Sequence, residues 1–152
     1  MIDGLANFSQ DGMAHLRKEF KRHLDSLSAV FDFIDRFAEQ EQIDDAARRA
    51  ISLSVDELFT NMVKYEPGNS SDITIELQVV DQDLVVTMVD RDAAPFDITK
   101  KPDPYLGASL DDRKPGGLGI FLTKKLVDDV QYHYQDRTST ITLKKNFRKK
   151  HV

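Results

Sequence analysis

Apolar side chains recur at the spacing of an α-helix in the first half of the chain. Residues three or four positions apart share one face of a helix, so such a stripe can be buried as a unit. We predict one helix from Ser26 or Ser28 to about Gln40, with either serine as its cap. We predict a second helix that Asp44 caps and that ends before Pro67.

The spacing changes to every second residue from position 73 onward, as in half-buried β-strands. The alternating runs 73–79 and 84–89 flank a polar turn, which predicts an antiparallel hairpin. Helical spacing returns at 118–127, and two more alternating runs follow at 130–134 and 138–143. Helices kept apart from antiparallel hairpins predict an α+β fold: a two-layer α/β sandwich with a mostly antiparallel sheet and helices on one face.

The segment from His15 to Leu24 allows two interpretations. Leu16, Phe20 and Leu24 recur at helical spacing, but they also lie on one face of a strand. Either a helix or a strand is therefore expected ahead of the first long helix.

The chain has 152 residues, which matches one domain with one hydrophobic core. Hydrophobic residues make up 40% and charged residues 31%, a balance that favours a folded domain. We expect a loose N-terminal arm over 1–14, a single domain over 15–147 and a basic tail over 148–152.

Charge and composition exclude several classes of protein. The net charge of -5 disfavours general nucleic-acid binding, and the absence of cysteine excludes disulfides and thiolate-bound metals. No apolar run approaches the roughly 20 residues of a membrane-spanning helix, and the N-terminus lacks the pattern of a signal peptide. We therefore expect a cytoplasmic protein that binds neither membranes nor nucleic acid directly.

Three polar side chains late in the second helix form the first candidate site. Glu57, Asn61 and Lys64 are four and three residues apart, so they share one helical face. Asparagine offers a hard oxygen ligand for magnesium, lysine a charge for phosphate, and glutamate a base. Taken alone, the triplet is more typical of a solvated polar face with one Glu–Lys pair.

Two further segments carry candidate chemistry. Residues 90–97 follow a strand, where an aspartate can accept a hydrogen bond from an exocyclic amine such as that of adenine. Residues 114–120 carry three glycines at a helix entrance, where free backbone N–H groups favour an anion. An Asp-rich turn and a plain loop are the simpler explanations for each alone. Between them we expect residues 98–115 to form a mobile lid.

Together and in this order, the three segments resemble the N, G1 and G2 boxes of the Bergerat-fold ATPase superfamily. The strings that carry the resemblance are ELFTNMVKYE, APFD and GGLGIFLTKKLVDDVQY, and it covers roughly residues 15–145. Within that superfamily the chain is similar to the anti-sigma-factor serine kinases of the RsbW and SpoIIAB type. The resemblance implies the Bergerat ATP-binding fold, with ATP and Mg²⁺ as cofactors.

The resemblance also implies a role for each matching residue. Glu57 matches the glutamate that acts as general base or orients water, Asn61 the asparagine that holds magnesium, and Lys64 a basic position beside it. Gly117 and Gly119 match the G2 glycines that cover the phosphates. The other cofactor-binding positions it implies are Asp90, Asp92, Pro95, Phe96, Gly116, Leu118 and Ile120.

The G1 box of the family reads Asp-x-Gly, whereas Asp90-Arg91-Asp92 contains no glycine. Counting back from the Pro-Phe pair puts Arg91 at the position of the adenine-reading aspartate and Ala93 at that of the glycine. The apolar alternation over 84–88 instead turns Asp90 toward the buried face. We expect Asp90 to read the base, because the register of a half-buried strand follows its apolar face.

The resemblance implies an ATP-binding anti-sigma regulatory factor of transcription, a serine/threonine-protein kinase that phosphorylates a small anti-sigma-antagonist protein. It implies that antagonist and a sigma factor as partners, and it leaves a homodimer open. The alternative is a non-catalytic binding module of the same fold that sequesters a sigma factor or another regulatory partner. The missing G1 glycine favours that alternative.

Overall fold

A computed structural model describes residues 6–8, 14–66, 68–95 and 117–150. Within these ranges an antiparallel sheet of six strands, in the order β1-β2-β3-β4-β6-β5, is covered on one face by α-helices. The elements are β1 Ala6–Phe8, β2 Ala14–Phe20, α1 Leu27–Gln40, α2 Asp45–Tyr65, β3 Ile73–Val80, β4 Asp83–Arg91, α3 Gly117–Leu126, β5 Asp129–Gln135 and β6 Thr138–Asn146. The predicted α+β two-layer sandwich is confirmed.

The ambiguous segment after residue 14 is a strand. Leu16 pairs with Leu77 of β3, and its side chain and that of Phe20 are buried beneath the helices. Of the expected loose arm over 1–14, residues 1–5 and 9–13 lie outside the described ranges. Its described residues Ala6–Phe8 pair with β2, which begins at Ala14. Strand pairing brings these residues into the sheet, a long-range effect that spacing alone does not reveal.

The connection between α1 and α2 is a tight turn. Gln42 adopts a φ of 58°, and the Ile43 N–H donates to the Ala38 carbonyl at 2.9 Å, which closes the end of α1. Asp44 then caps α2 as predicted, its Oδ2 accepting from the Ala47 N–H at 3.2 Å. The cap fixes where α2 starts and hence the register of its later polar residues.

The basic tail also differs from its expected position outside the domain. The Arg148 N–H donates to Asp44 Oδ1 at 2.8 Å, and Lys149 forms a β-bridge with Ile43. Lys150 Nζ lies 2.8 Å from a carboxylate oxygen of Asp45, and this pairing holds the pKa of Asp45 below its usual value. Residues 148–150 are thus attached to the α1–α2 turn.

One apolar core lies between the sheet and the helices. Alternate residues of β3 and β4 point into it, and the stripe predicted for α1 is buried against them. Among the described helices, none combines the length and apolar character that a membrane span requires. The largest fully buried side chains include Phe37, Phe59, Ile34, Ile51, Leu58, Ile75, Leu77 and Met88.

Candidate functional site

A cavity of about 220 Å³ opens between the last turns of α2 and the adjoining ends of β4 and β6. Its apolar walls carry polar side chains from several segments, a combination typical of small-ligand sites. The lining residues are Leu58, Asn61, Met62, Tyr65, Glu66, Asp90, Ala94, Pro95, Ser139 and Ile141.

Asn61 lies on the face of α2 that borders this cavity, and only 9% of it is exposed. Its Nδ2 atom is enclosed and has no hydrogen-bond partner in the part of the chain that the structure describes. Buried polar atoms are nearly always paired, so an unpaired one beside a cavity indicates a place for a ligand. Turning the amide by 180° exchanges nitrogen for oxygen, so the same position can offer an oxygen to a cation.

Glu57 and Lys64 lie about one turn to either side of Asn61, but neither lines the cavity. Glu57 is partly exposed and Lys64 is exposed, whereas Asn61 between them on the same helix face is buried. The interpretation of this triplet as a solvated polar face is therefore wrong for Asn61. Burial, followed by the negative charge of Glu57, raises the pKa of the cavity residue Tyr65.

Asp90 is the second-last residue of β4, on the helix-covered face of the sheet, and only 5% of it is exposed. Its Oδ1 accepts a hydrogen bond from the guanidinium of Arg22, a side chain that is 3% exposed. Burial raises the pKa of Asp90, the contact with Arg22 opposes that rise, and the charge of Glu66 adds to it. The cavity thus contains a buried carboxylate, and its charge is balanced by the guanidinium of Arg22, which does not line the cavity.

Arg91 and Asp92 point away from the cavity. The Arg91 guanidinium donates to Thr74 Oγ1 at 2.8 Å on the opposite face of the sheet. Asp92 is exposed, accepts from Ser71 Oγ at 2.8 Å and has a φ of 55°. This left-handed conformation favours glycine but tolerates aspartate, so Asp92 occupies a position that a glycine would also suit. Of the three residues 90–92, Asp90 is the one that lines the cavity.

Sequence patterns did not point to the side chains that hold this turn. Glu66 Oε1 accepts from the Ala94 N–H at 2.9 Å, and the Tyr134 hydroxyl donates to the Ala93 carbonyl at 2.7 Å. Asn69 Nδ2 donates to a main-chain carbonyl of the same turn at 2.7 Å. These groups come from separate segments, so no local spacing could have brought them together before the fold was known.

Of the glycine-rich segment 114–120, the described residues begin α3. Gly117–Ile120 is the first turn of a helix that packs against α2. The first four N–H groups of a helix have no partner within it, and this suits an anion. Phe96, Gly116 and the segment 98–115 lie outside the described residues.

Asn61 is suited to bind a magnesium ion whose other ligands are not protein side chains. Within the described ranges no three His, Cys, Asp or Glu side chains are clustered for metal binding. Mg²⁺ usually keeps several waters and binds one or two protein oxygens together with phosphate oxygens. One amide oxygen at a cavity edge suits that coordination, so the donor set fits a nucleotide-bound ion.

The helix-covered antiparallel sheet with this cavity is the architecture of an ATPase domain of the Bergerat type. The family model described as the histidine kinase-like ATPase domain matches residues 20–145. The chain belongs to this family.

Relatives in the family include bacterial protein kinases. The serine-protein kinase RsbW of Staphylococcus aureus is 31% identical over 133 residues, 84% of this chain and 79% of that protein. RsbW of Listeria innocua is 32% identical over 100 residues, 62% of this chain and 63% of its own length. The serine/threonine-protein kinase BtrW of Bordetella bronchiseptica is 31% identical over 98 residues, 63% of this chain and 68% of that protein.

The fold also matches a solved structure. The crystal structure of RsbU and RsbW domains from a Mycobacterium tuberculosis protein superimposes with a TM-score of 0.64 over 88% of this chain and 32% of that one. The two sequences are 13% identical, so this likeness concerns the fold alone.

Proposed function

We propose that the chain is an anti-sigma regulatory factor that binds Mg-ATP in the cavity and transfers the γ-phosphate to a serine or threonine of a small antagonist protein. The observation that carries this proposal is the unpaired, buried amide of Asn61, which shares a cavity with the buried carboxylate of Asp90. Family membership supports ATP as the ligand, and the kinase names of the relatives support protein phosphorylation.

Phosphoryl transfer depends mostly on positioning and on neutralising charge. Asn61 would hold a magnesium ion, which would neutralise charge on the phosphates. Asp90 accepts a hydrogen bond from the adenine amine, while the backbone at Gly117 and Gly119 covers the phosphates. Lys64 adds positive charge at the exposed side of α2.

Glu57 is the proposed base that takes the proton from the substrate hydroxyl. It is partly exposed and lies outside the ATP cavity, so a hydroxyl on another protein can reach it. The proposed partners are the antagonist that carries this hydroxyl and a sigma factor, both in the cytoplasm.

Replacing Glu57 by glutamine separates binding from catalysis. We expect Glu57→Gln to keep ATP affinity within about threefold and to lose on the order of a hundredfold in phosphate transfer, because a base is removed and the cavity is unchanged. Labelled ATP and candidate antagonist proteins from the same organism provide the assay. Asp56→Asn, one residue earlier on α2, is the matched control; equal loss in both variants would contradict the role of Glu57.

One observation favours the second candidate, a binding module without kinase activity. Asp92, with a φ of 55°, stands where the family's Asp-x-Gly box has its glycine. Calorimetric titration with ATP and with ADP, each with and without magnesium, decides between the two. Heat of binding that requires magnesium supports the kinase, whereas no heat with either nucleotide, together with retained sigma-factor binding, supports the module.

A further inference from the structure

Arg22 is a buried cation that joins three separate segments to one another. Its Nε donates to the Ser71 carbonyl at 3.0 Å, and one terminal nitrogen donates to the Met62 carbonyl at 2.8 Å. Its other terminal nitrogen donates to Asp90 Oδ1. The Met62 carbonyl is one of the last four of α2, which no intrahelical N–H can reach, so Arg22 satisfies the helix end and the carboxylate together.

Arg22 does not itself line the cavity, whereas Asp90 does. Any effect of the guanidinium on a ligand must therefore pass through Asp90. The planar fork fixes the direction of the carboxylate, because its other donors are anchored to two main-chain carbonyls.

We propose that Arg22 is a positioning residue that sets the base preference of the cavity, by holding Asp90 as a hydrogen-bond acceptor for a 6-aminopurine. This inference rests on the proposed function, in that it assumes a purine nucleotide in the cavity. It concerns a residue of this chain that lies outside the three boxes.

The chemistry of the purine edge explains the preference. An ionised carboxylate accepts hydrogen bonds and donates none, so it pairs with the 6-amino group of adenine. The 6-oxo group of hypoxanthine is also an acceptor, and placing it against the carboxylate leaves two buried acceptors facing each other.

Removing the positive charge would weaken this preference for adenine over hypoxanthine. Arg22 and Glu66 are the charged groups that act on Asp90. When a neutral residue replaces Arg22, burial and the charge of Glu66 still raise the Asp90 pKa, and the opposing effect of the guanidinium is lost. A protonated carboxyl carries an O–H donor, which can pair with a 6-oxo group. The ratio of ATP to ITP affinity therefore reports on Arg22 in a way that general loss of stability does not.

The experiment compares ATP and ITP affinity by calorimetry in the full chain. We expect the wild type to prefer ATP by at least about tenfold, and Arg22→Gln and Arg22→Met to reduce that preference to about threefold or less. Arg22→Lys retains the charge and should retain most of the preference. Arg17→Met, which removes a half-exposed arginine from β2, is the matched control and should leave the ratio unchanged.

Neutral variants that fold and keep the wild-type ratio would overturn the inference while leaving ATP binding, and hence the proposed function, in place. A wild type that binds neither nucleotide would overturn both. If neither neutral variant folds, carbon-13 NMR of the wild-type Asp90 carboxyl at pH 7 gives the answer. An ionised carboxylate supports the role of Arg22, and a protonated one contradicts it.

Discussion

Asn61 is the residue on which the proposed nucleotide site depends most directly. We expect Asn61→Ala to abolish magnesium-dependent ATP binding, because it removes the amide oxygen proposed to hold the ion. The unfolding free energy should change by less than about 1 kcal/mol, since the deleted Nδ2 is buried without a partner and its loss removes a desolvation cost. Calorimetry measures the first effect and urea unfolding the second.

Thr60→Ala is the control for this variant. Thr60 precedes Asn61 on α2 but does not line the cavity, and its hydroxyl donates to Asp56 at 3.3 Å. Unchanged ATP affinity in folded Asn61→Ala protein would contradict the metal site.

Asp90 and Asp92 provide a second comparison of neighbouring side chains. We expect Asp90→Asn to weaken ATP binding by at least about tenfold, because an amide presents an N–H where the base needs an acceptor. Asp92→Asn should have little effect, since Asp92 is exposed outside the cavity and asparagine tolerates its positive φ. The reverse order in calorimetric titrations would show that Asp92 reads the base.

Sequence reasoning at this scale succeeds where a residue's position follows from its neighbours. Asp90 could be placed because apolar alternation along β4 determines which face it occupies. Arg22 could not, because its three hydrogen-bond partners lie 40, 49 and 68 residues away in sequence. A lysine or arginine in a short polar segment resembles any surface residue until the fold brings its partners together.

At the scale of elements, the same dependence on distant partners explains why the segment that forms β2 could not be assigned to a helix or a strand from its sequence. Leu16 and Phe20 are four residues apart, a spacing that satisfies a helix and a strand equally well. Pairing with β3 decides in favour of the strand, and that pairing is a property of the sheet. The helices α1 and α2 needed no such help, because their stripes and the Asp44 cap are local signals.

The contact between the tail and α2 gives the fold a dependence on pH. Pairing with Lys150 lowers the Asp45 pKa in the folded state, so the pair stabilises the protein above the unfolded-state pKa of aspartate. That contribution is lost as the pH falls through the lower, folded-state value. We expect Asp45→Asn to be less stable than the wild type at pH 7 and the two to converge in strong acid.

Urea unfolding at pH 7 and at about pH 2 measures this convergence. Asp32→Asn, at an exposed position on α1, is the control for removing one carboxylate. Since Asp45 is exposed, high salt should also reduce the difference at pH 7. A difference that persists unchanged in acid would show that Asp45 acts by some means other than its charge.

At the scale of the whole molecule, ligand binding should appear as stability. A ligand that binds the folded chain alone stabilises it by about 2.7 kcal/mol at a concentration one hundred times its Kd. We therefore expect saturating Mg-ATP to raise the thermal midpoint by several degrees, as followed by circular dichroism. Asn61→Ala protein should lack this shift, and its absence from the wild type would contradict nucleotide binding.

The position of β6 in the sheet has a consequence for the newly made chain. β6 is the last strand of the described residues, yet it lies between β4 and β5, and it supplies Ser139 and Ile141 to the cavity. When Asn61 and Asp90 have emerged from the ribosome, the residues of β6 that line the rest of the cavity have therefore not yet been translated. Because such long-range pairing forms late, the chain becomes competent to bind a ligand only after β6 has been translated and has paired with β4.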